Sequence, residues 1–169
     1  MFFATERANY NGMTLKQVQQ CVETEWKPRE PHPMSPEDID LYKVIQHPAL
    51  SMLFAHFNEE KHLVGVAVFT CMNTAVLLSG FLIRPDARRQ GYGRRFFEWI
   101  LHFFTEGKRY TTCLVQSAPK NVDFWERKLG FTDFAIGEMN PLEEVIMKVI
   151  QAAFGRECRL LMIKIKKLK

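Results

Sequence analysis

A run of arginine, glutamine and glycine near the middle of the chain has the composition of an anion-binding turn. The run reads Arg88-Arg89-Gln90-Gly91-Tyr92-Gly93, and Arg94 follows it. It comes after an apolar stretch and before an amphipathic one. Backbone N–H groups in the first turn of a helix lack an intrahelical partner and lie at the positive end of the helix dipole, so together they bind phosphate. Glycine at positions 91 and 93 would let a phosphate approach the backbone closely.

Two other interpretations of this turn are open. A strand, a turn and a helix with two glycines can be a packing arrangement, or they can form a mononucleotide loop. The spacing of Gly91 and Gly93 matches neither G-x-G-x-x-G nor G-x-x-x-x-G-K-[ST]. The dinucleotide-binding fold and the P-loop therefore lose support.

Three apolar, β-rich runs precede the turn and must position it. They are Ser51–Phe57, Leu63–Cys71 and Ala75–Ile83. The polar residues 58–61 join the first two runs, which predicts a hairpin. After the turn, apolar residues at helical spacing predict a long helix over Gly91–Glu106 that Gly107 ends.

Shorter elements surround this core. The predicted strands are Phe2–Arg7, Thr111–Gln116, Phe131–Ile136 and Cys158–Ile165, and the predicted helices are Met13–Trp26, Ser35–Gln46, Lys120–Leu129 and Pro141–Phe154. This order predicts an α/β (α+β) fold, with a mixed central sheet of about six to seven strands and helices on both faces. The long helix should complete a right-handed parallel crossover.

The bulk composition limits the class of protein. With 169 residues, 47% of them apolar, and a net charge of +4, the chain suits one domain and is too weakly basic to indicate nucleic acid. The four cysteines have no metal-binding or redox spacing, so we predict no metal site and a reducing compartment. Neither a signal-peptide pattern nor a bilayer-spanning run is present, so we expect a soluble protein of the cytosol or nucleus, with no membrane partner.

The segment from Ile83 to Gly93 resembles the signature of GNAT acyltransferases, the GCN5-related N-acetyltransferase superfamily. That signature is [QR]-x-x-G-x-[GA], preceded by an apolar strand and a Pro-Asp turn. Downstream, Lys128-Leu129-Gly130-Phe131 is similar to the family's second motif, a short helix ending in K-L-G-F. The resemblance implies one domain over residues 1–169, with 1–50 on the acceptor side, an acyl-CoA-binding core over 75–134, and a C-terminal helix and strand over 141–169.

The resemblance also implies a cofactor site, with acetyl-CoA as co-substrate. Pantetheine would bond to the backbone of Phe81, Leu82 and Ile83, where the strand splays from the next parallel strand. The diphosphate would lie on the turn, and the implied cofactor contacts there are Arg88, Arg89, Gln90, Gly91, Tyr92, Gly93 and Arg94. Asn121 is a further candidate contact, although the position at which the family often has an Asn falls on Pro119.

Catalysis would be direct attack of a neutral amine on the thioester, with a proton donor for the departing thiolate. The family often supplies that donor as a Tyr four residues before the Gly of K-L-G-F, and Glu126 occupies the position here. A one-residue slip would place Trp125 there, but helical periodicity assigns Trp125 to the core. Glu126 is the catalytic candidate, and a solvated surface acid is the alternative, since a carboxylate donates only if burial raises its pKa.

No general base stands out in the sequence. Histone-type members carry a Glu on the strand before the turn, and Leu77 occupies that position. The nearest titratable residues on the preceding hairpin are His56, Glu59, Glu60 and His62, which are more typical of turns than of catalysis. Ser79 and Thr70 could instead hold a water.

The predicted function is transfer of an acetyl group from acetyl-CoA to a primary amine, either a protein or peptide amine or a small polyamine-like amine. Residues 23–40 hold six carboxylates against Lys27 and Arg29. The resemblance implies that this segment flanks the acceptor groove, which favours a cationic acceptor. The alternative is a non-catalytic GNAT-fold module that binds acyl-CoA or another protein. A nucleic-acid partner is not expected, because an aromatic-basic surface pattern is missing, and a homodimer stays open.

Overall fold

A computed structural model of the protein describes residues 2–4, 13–25, 51–107, 109–134, 137, 140–153 and 158–165. The helix predicted over residues 35–46 lies outside the described residues. The strands are β1 (Phe2–Ala4), β2 (Ser51–Phe57), β3 (Leu63–Cys71), β4 (Ala75–Ile83), β5 (Thr112–Ser117), β6 (Thr132–Asp133) and β7 (Arg159–Lys164). The α-helices are α1 (Leu15–Glu25), α2 (Tyr92–Gly107) and α3 (Pro141–Ala153).

The strands form one mixed sheet of seven, in the order β1-β2-β3-β4-β5-β7-β6. The β4–β5 pair is parallel, and the β1–β2, β2–β3, β5–β7 and β6–β7 pairs are antiparallel. A parallel pair needs a crossover connection, and α2 supplies it. The predicted mixed α/β fold is therefore confirmed.

The chain divides into two compact units, and the division cuts through β4 and α2. The first unit is Met1–Thr70 with Ser79–Phe97, and the second is Cys71–Leu78 with Glu98–Lys169.

The first unit is built on the predicted hairpin of β2 and β3, which is confirmed. Asn58 closes its turn, because its Oδ1 accepts a hydrogen bond from the backbone N–H of His62 at 2.8 Å. On one face of the hairpin, Val18 and Val22 of α1 pack against a cluster of buried apolar side chains. That cluster contains Leu53, Ala55, Phe57, Leu63, Val66, Val68 and Leu82.

The opposite face of the hairpin packs against the start of α2 through aromatic rings. Phe81 stacks on Phe96 with ring centroids 5.9 Å apart, and Phe69 lies 6.3 Å from Phe97. Gly65 permits this approach, because a Cβ there would lie 3.0 Å from a ring carbon of Phe96. Any larger residue at position 65 would push the helix away from the sheet.

In the second unit, β5 is bordered by the first residues of β4 and by β7. Ala75–Leu78 pair in parallel with residues 112–115, and Thr112–Ser117 pair antiparallel with residues 159–164. Met147 of α3 is fully buried against this sheet. It packs in a cluster with Ala75, Leu77, Leu114, Leu160 and Met162.

The segment predicted as a short helix over Lys120–Leu129 is helical along that length, but its winding changes within it. It consists of a 3-10 turn over Pro119–Asn121 and a π-helix over Phe124–Lys128. The wide turn ends where the backbone N–H of Phe131 bonds to the carbonyl oxygen of Trp125, six residues back, at 3.0 Å. The Trp125 ring also packs edge-on against Phe131, so burial of this ring pair accompanies the widened helix.

Within the part of the chain that the structure describes, no helix combines the length and apolarity needed to cross a membrane. The same residues contain no group of three or more His, Cys, Asp or Glu placed to hold a metal ion.

Candidate functional site

The predicted anion-binding turn leaves a row of backbone donors open. Pro85–Ala87 form a 3-10 turn and α2 begins at Tyr92. The first helical hydrogen bond runs from the N–H of Arg95 to the carbonyl oxygen of Gly91, at 3.1 Å. Residues 88–91 form a turn, and no backbone N–H from Arg89 to Gly93 makes a short, well-aligned hydrogen bond to a backbone carbonyl of the described residues. These consecutive donors can cradle an anion.

The backbone of the turn is left-handed at two positions. Arg89 has φ of 61° and Gly91 has φ of 80°. Arg88, before the first of them, is extended. Left-handed residues in a turn can direct successive N–H groups toward one concave side, an arrangement that binds anions. A Cβ placed on Gly91 would have no heavy atom within 4 Å, so the space beside Gly91 is open. The turn therefore has the shape and the donors that a phosphate requires.

Side chains of the turn hold its backbone in place. Arg88 Nε donates to the carbonyl oxygen of Ile83 at 2.9 Å, and Gln90 Nε2 donates to that of Asp86 at 2.7 Å. Arg84 Nε bonds to Asp86 Oδ1 at 2.6 Å, and this hydrogen bond is the main cause of a lowered pKa of Asp86. Among the predicted cofactor residues, Arg88 and Gln90 thus have side chains that bond to the backbone of the turn and of the strand end before it.

The half-buried Tyr92 ring packs at the start of α2, and its predicted contact with the cofactor stays a prediction. Its ring lies 5.6 Å from the His56 ring, and the Arg95 guanidinium lies 4.9 Å from the Tyr92 ring centroid. His56 is itself buried and also stacks on Phe96. Burial, followed by nearby positive charge that includes Arg95, lowers the pKa of His56 to about 4. A neutral imidazole therefore supports the first turn of the helix.

Phe81, Leu82 and Ile83 contribute their side chains to the interior. Leu82 is 5% exposed, whereas Phe81 and Ile83 are half-buried. Sequence analysis predicted that a ligand would contact the backbone of these residues, and their side-chain packing is compatible with that prediction. The contact itself stays a prediction.

One extra residue interrupts β4 after Ser79. Ser79 Oγ and Thr70 Oγ1 lie 2.7 Å apart, so the two side chains lie on the same face of the sheet. Val68 is two residues before Thr70 on β3, so its side chain lies on that face as well. Leu82 packs in the same core cluster as Val66 and Val68. Side chains three residues apart on a regular strand point to opposite faces, yet Ser79 and Leu82 share one. A β-bulge therefore lies between Ser79 and Leu82.

The bulge begins where the pairing of β4 with β5 ends. The parallel register runs from Ala75 to Leu78, and β4 continues to Ile83. Bulges bend a strand and terminate pairing. Ser79–Ile83 therefore form a stretch of strand beyond the paired part.

Glu126 belongs to an ionic cluster in the second unit. Its Oε1 accepts a hydrogen bond from an Arg159 terminal nitrogen at 2.6 Å, and the same nitrogen lies 2.7 Å from Asp133 Oδ1. The Glu126 side chain is 33% exposed, while neighbouring Trp125 is buried, as predicted. In this arrangement the Glu126 carboxylate is a hydrogen-bond acceptor. Its predicted catalytic role stays a prediction.

Asn121 closes the 3-10 turn that follows β5. It is half-buried, and its backbone N–H bonds to the carbonyl oxygen of Ala118 at 2.9 Å. Its predicted contact with the cofactor stays a prediction.

The titratable residues of the β2–β3 turn are solvated. His62 Nδ1 lies 3.3 Å from Glu60 Oε2, the two side chains are 61% and 77% exposed, and Glu59 is exposed as well. Sequence analysis did not find the role of Arg159, because strand pairing, not local spacing, brings it to Glu126. The bulge was also missed, although Ser79, a polar residue inside an apolar run, was a signal for it.

A comparison with protein families identifies the fold. The sequence profile of the Acetyltransferase (GNAT) family matches residues 15–131, which include the turn and the K-L-G-F motif. The chain belongs to the GNAT acetyltransferase family. A search of curated protein sequences finds no significant match.

Solved GNAT structures share this fold at low sequence identity. Tetrahymena GCN5 superposes with a TM-score of 0.73 at 13% identity, covering 100% of this chain and 98% of that one. The ribosomal-protein-S18-alanine N-acetyltransferase of Escherichia coli gives 0.63 at 14% identity, covering 100% and 97%. The spermidine N-acetyltransferase of Vibrio cholerae, solved in complex with CoA and spermine, gives 0.58 at 17% identity, covering 99% and 96%.

Proposed function

We propose that the protein is an N-acetyltransferase that moves an acetyl group from acetyl-CoA to a primary amine by direct attack. The observation that carries the proposal is the turn at residues 88–93, with its open backbone donors and its left-handed Gly91. Membership of the GNAT family supplies the expected ligand class for that turn.

The cofactor assignment follows the chain from the turn into β4. The diphosphate of acetyl-CoA would bond to the backbone N–H groups from Arg89 to Gly93, with Arg94 and Arg95 adding positive charge from the exposed side of the helix. Pantetheine would extend along the backbone of Ser79–Ile83. This stretch lies beyond the paired part of β4, so its backbone is the part of the strand suited to bonding a ligand.

The proposed acceptor is a cationic primary amine, on a protein or peptide or on a small polyamine-like molecule. The acidic composition of residues 23–40 supports a cationic acceptor, because carboxylates attract ammonium groups over about a Debye length. Two structural neighbours represent these two classes of acceptor. One is an alanine N-acetyltransferase acting on a ribosomal protein, and the other is a spermidine N-acetyltransferase.

A non-catalytic GNAT module is the second candidate, and a specific observation favours it. Glu126 stands where the family often has a Tyr donor, and its carboxylate is bonded to Arg159 rather than poised as an acid. β4 also lacks any acidic residue that would act as a base.

Two measurements test the proposal. Acetyl-CoA at one hundred times its Kd should stabilise the protein by about 2.7 kcal/mol, seen as a raised Tm, whereas equal concentrations of free pantetheine should not. A panel of primary amines, including spermidine and alanine- and lysine-bearing peptides, is then assayed for release of CoA thiol. Stabilisation without release for any amine selects the non-catalytic module that binds acyl-CoA. No stabilisation at millimolar acetyl-CoA contradicts both acetyl transfer and acyl-CoA binding.

A further inference from the structure

We propose that the Thr70–Ser79 hydroxyl pair positions the water that removes the proton from the acceptor ammonium, an inference that rests on the proposed acetyl transfer. The hydroxyl oxygens lie 2.7 Å apart on neighbouring strands. Ser79 is also the one exposed residue of β4, whose other residues are buried or half-buried.

The place of the pair along β4 suits the reacting end of the cofactor. Ser79 is the first residue beyond the parallel pairing with β5, and it lies four residues before Ile83, or about 13 Å along a strand. With the diphosphate on the turn that follows Ile83, extended pantetheine running back along β4 brings the thioester toward Ser79. The pair therefore lies at the acyl end of the proposed site, away from the anion-binding end.

The chemistry of two hydroxyls fits a relay better than a base. Each hydroxyl has one proton and two lone pairs, so a hydroxyl can donate to one partner and accept from two others, a water among them. The ammonium passes a proton to this water, which releases it to bulk solvent at the exposed Ser79. The freed amine lone pair then attacks the thioester carbonyl carbon, and the C–S bond breaks. The nitrogen releases its second proton to solvent to give the neutral amide, and the CoA thiolate takes a proton from solvent.

Titratable groups on the described strands of this region face elsewhere. β2, β3 and β4 carry only His56 and Cys71. His56 lies against the Tyr92 and Phe96 rings, on the sheet face opposite Thr70, and strand alternation places Cys71 on the same face as His56. Burial is the main cause of a raised pKa of Cys71. On the face that carries Thr70, α1 contributes Val18 and Val22, and the half-buried thiol of Cys21 packs against the same cluster.

The charged β2–β3 turn is remote from the pair. His62 is eight positions before Thr70 on β3, which is about 26 Å along a strand, and Glu59 and Glu60 lie beyond it. These residues are near the end of β3 that contacts the anion-binding turn, because the N–H of Arg84 bonds to the carbonyl oxygen of Val64.

A relay of hydroxyls and water has no pKa near neutrality, so the acceptor sets the pH dependence. The value of kcat/KM should rise about tenfold per pH unit until the pH reaches the pKa of the acceptor amine. Acceptors whose amine has a lower pKa should therefore reach their maximum kcat/KM at lower pH. A plateau between pH 6 and 8 that is the same for all acceptors would indicate a titrating enzyme base and overturn the proposal.

The variants Ser79→Ala and Thr70→Val test the pair directly. Each should lower kcat about tenfold with the Kd for acetyl-CoA unchanged within twofold, and the double variant should lose no more than the worse single one, because the two hydroxyls act as a unit. Ser79→Thr and Thr70→Ser keep a hydroxyl and should retain most of the activity. Thr111→Val is the matched control, since this exposed hydroxyl bonds to the Thr74 carbonyl oxygen before the start of β4.

The outcomes separate this inference from the proposed function. An active wild type with Ser79→Ala and Thr70→Val at wild-type rates overturns the relay and leaves acetyl transfer standing. A wild type that releases no thiol with any amine overturns both. A loss of kcat that Ser79→Thr and Thr70→Ser restore, with acetyl-CoA binding unchanged in calorimetric titration, supports the relay.

Discussion

Glu143 on α3 accepts two hydrogen bonds from Thr74, one from its backbone N–H at 2.7 Å and one from its hydroxyl at 2.8 Å. It also accepts one from the backbone N–H of Ala75 at 3.2 Å. The Glu143 side chain is almost fully buried. A buried carboxylate that receives several donors stabilises the turn into β4, and its loss would leave buried N–H groups without acceptors.

Replacing Glu143 with Ala should therefore destabilise the protein by about 2–4 kcal/mol. Glu143→Gln keeps one acceptor oxygen and should cost less. Glu59→Ala, in the exposed β2–β3 turn, is the control and should change the free energy of unfolding by under about 0.5 kcal/mol. Denaturant unfolding measures all three, and equal stability of Glu143→Ala and wild type would contradict the role of Glu143 as a buried acceptor.

Substitution of Gly91 tests whether backbone donors or arginine charge bind the cofactor. At φ of 80° a β-branched residue is strained, and its side chain would occupy the open space beside the turn. Gly91→Val should weaken acetyl-CoA binding at least tenfold, or about 1.4 kcal/mol. Arg88→Ala with Arg89→Ala should have a smaller effect that fades as salt rises, because charge attraction is screened.

The control for strain is Gly130→Val. Gly130 has φ of 75° and also has open space at its Cβ position, so it shares the backbone strain but not the anion-binding turn. Calorimetric titration at two salt concentrations compares the variants. Wild-type affinity in Gly91→Val, with the arginine double variant unable to bind, would show that charge and not the backbone captures the cofactor.

His56 should make stability depend on pH. Its pKa is about 4 in the folded protein against 6.5 ordinarily, so between these values the unfolded chain binds more protons. This contribution to stability is therefore complete above about pH 6.5 and falls as pH drops toward 4, by at most about 3.4 kcal/mol. In His56→Phe this part of the pH dependence should vanish, while His62→Phe, at an exposed position, should retain it. Unfolding midpoints at pH 4 to 7 give the measurement. If stability of His56→Phe depended on pH as strongly as that of wild type, the prediction would be wrong.

Glu126→Gln distinguishes a proton donor from an ion-pair partner. The bond to Arg159 leads us to expect turnover within twofold of wild type and a loss of stability under about 1 kcal/mol, as for partly exposed ion pairs. Asp133→Asn, which weakens the other contact of Arg159, should change turnover and stability by similarly small amounts. A tenfold loss of kcat with a displaced pH profile in Glu126→Gln alone would instead assign Glu126 the donor role that its sequence position predicts.

The elements that sequence analysis predicted best are those with strong local signals. The β2–β3 hairpin and α2 follow from alternation, from a polar turn and from a wide apolar stripe, each contained in a short stretch of chain. The turn at Arg88–Gly93 was also predictable, because its glycines and arginines are contiguous. Its left-handed Arg89 was not, since arginine has no preference for that conformation.

Features that depend on pairing between distant residues were not predictable. Arg159 meets Glu126 only because β7 lies beside β5, and the Glu143–Thr74 contact joins residues far apart in the chain. The π-helix over Phe124–Lys128 likewise accompanies the packing of Trp125 against Phe131, which helix propensity does not indicate. For each of these contacts, the local sequence pattern around one residue carries no information about which distant residue it meets.

The bulge in β4 limits where a new catalytic group can be engineered. Leu77 and Ser79 precede it and share a face, but Leu77 is buried in a cluster with Met147 whereas Ser79 is open to solvent. An ionisable side chain installed at Leu77 would lose its hydration and disrupt packing, while one at Ser79 would keep its hydration. Beyond the bulge the alternation is reversed, so a design that counts every second residue past Ser79 would turn the new group into the aromatic interior.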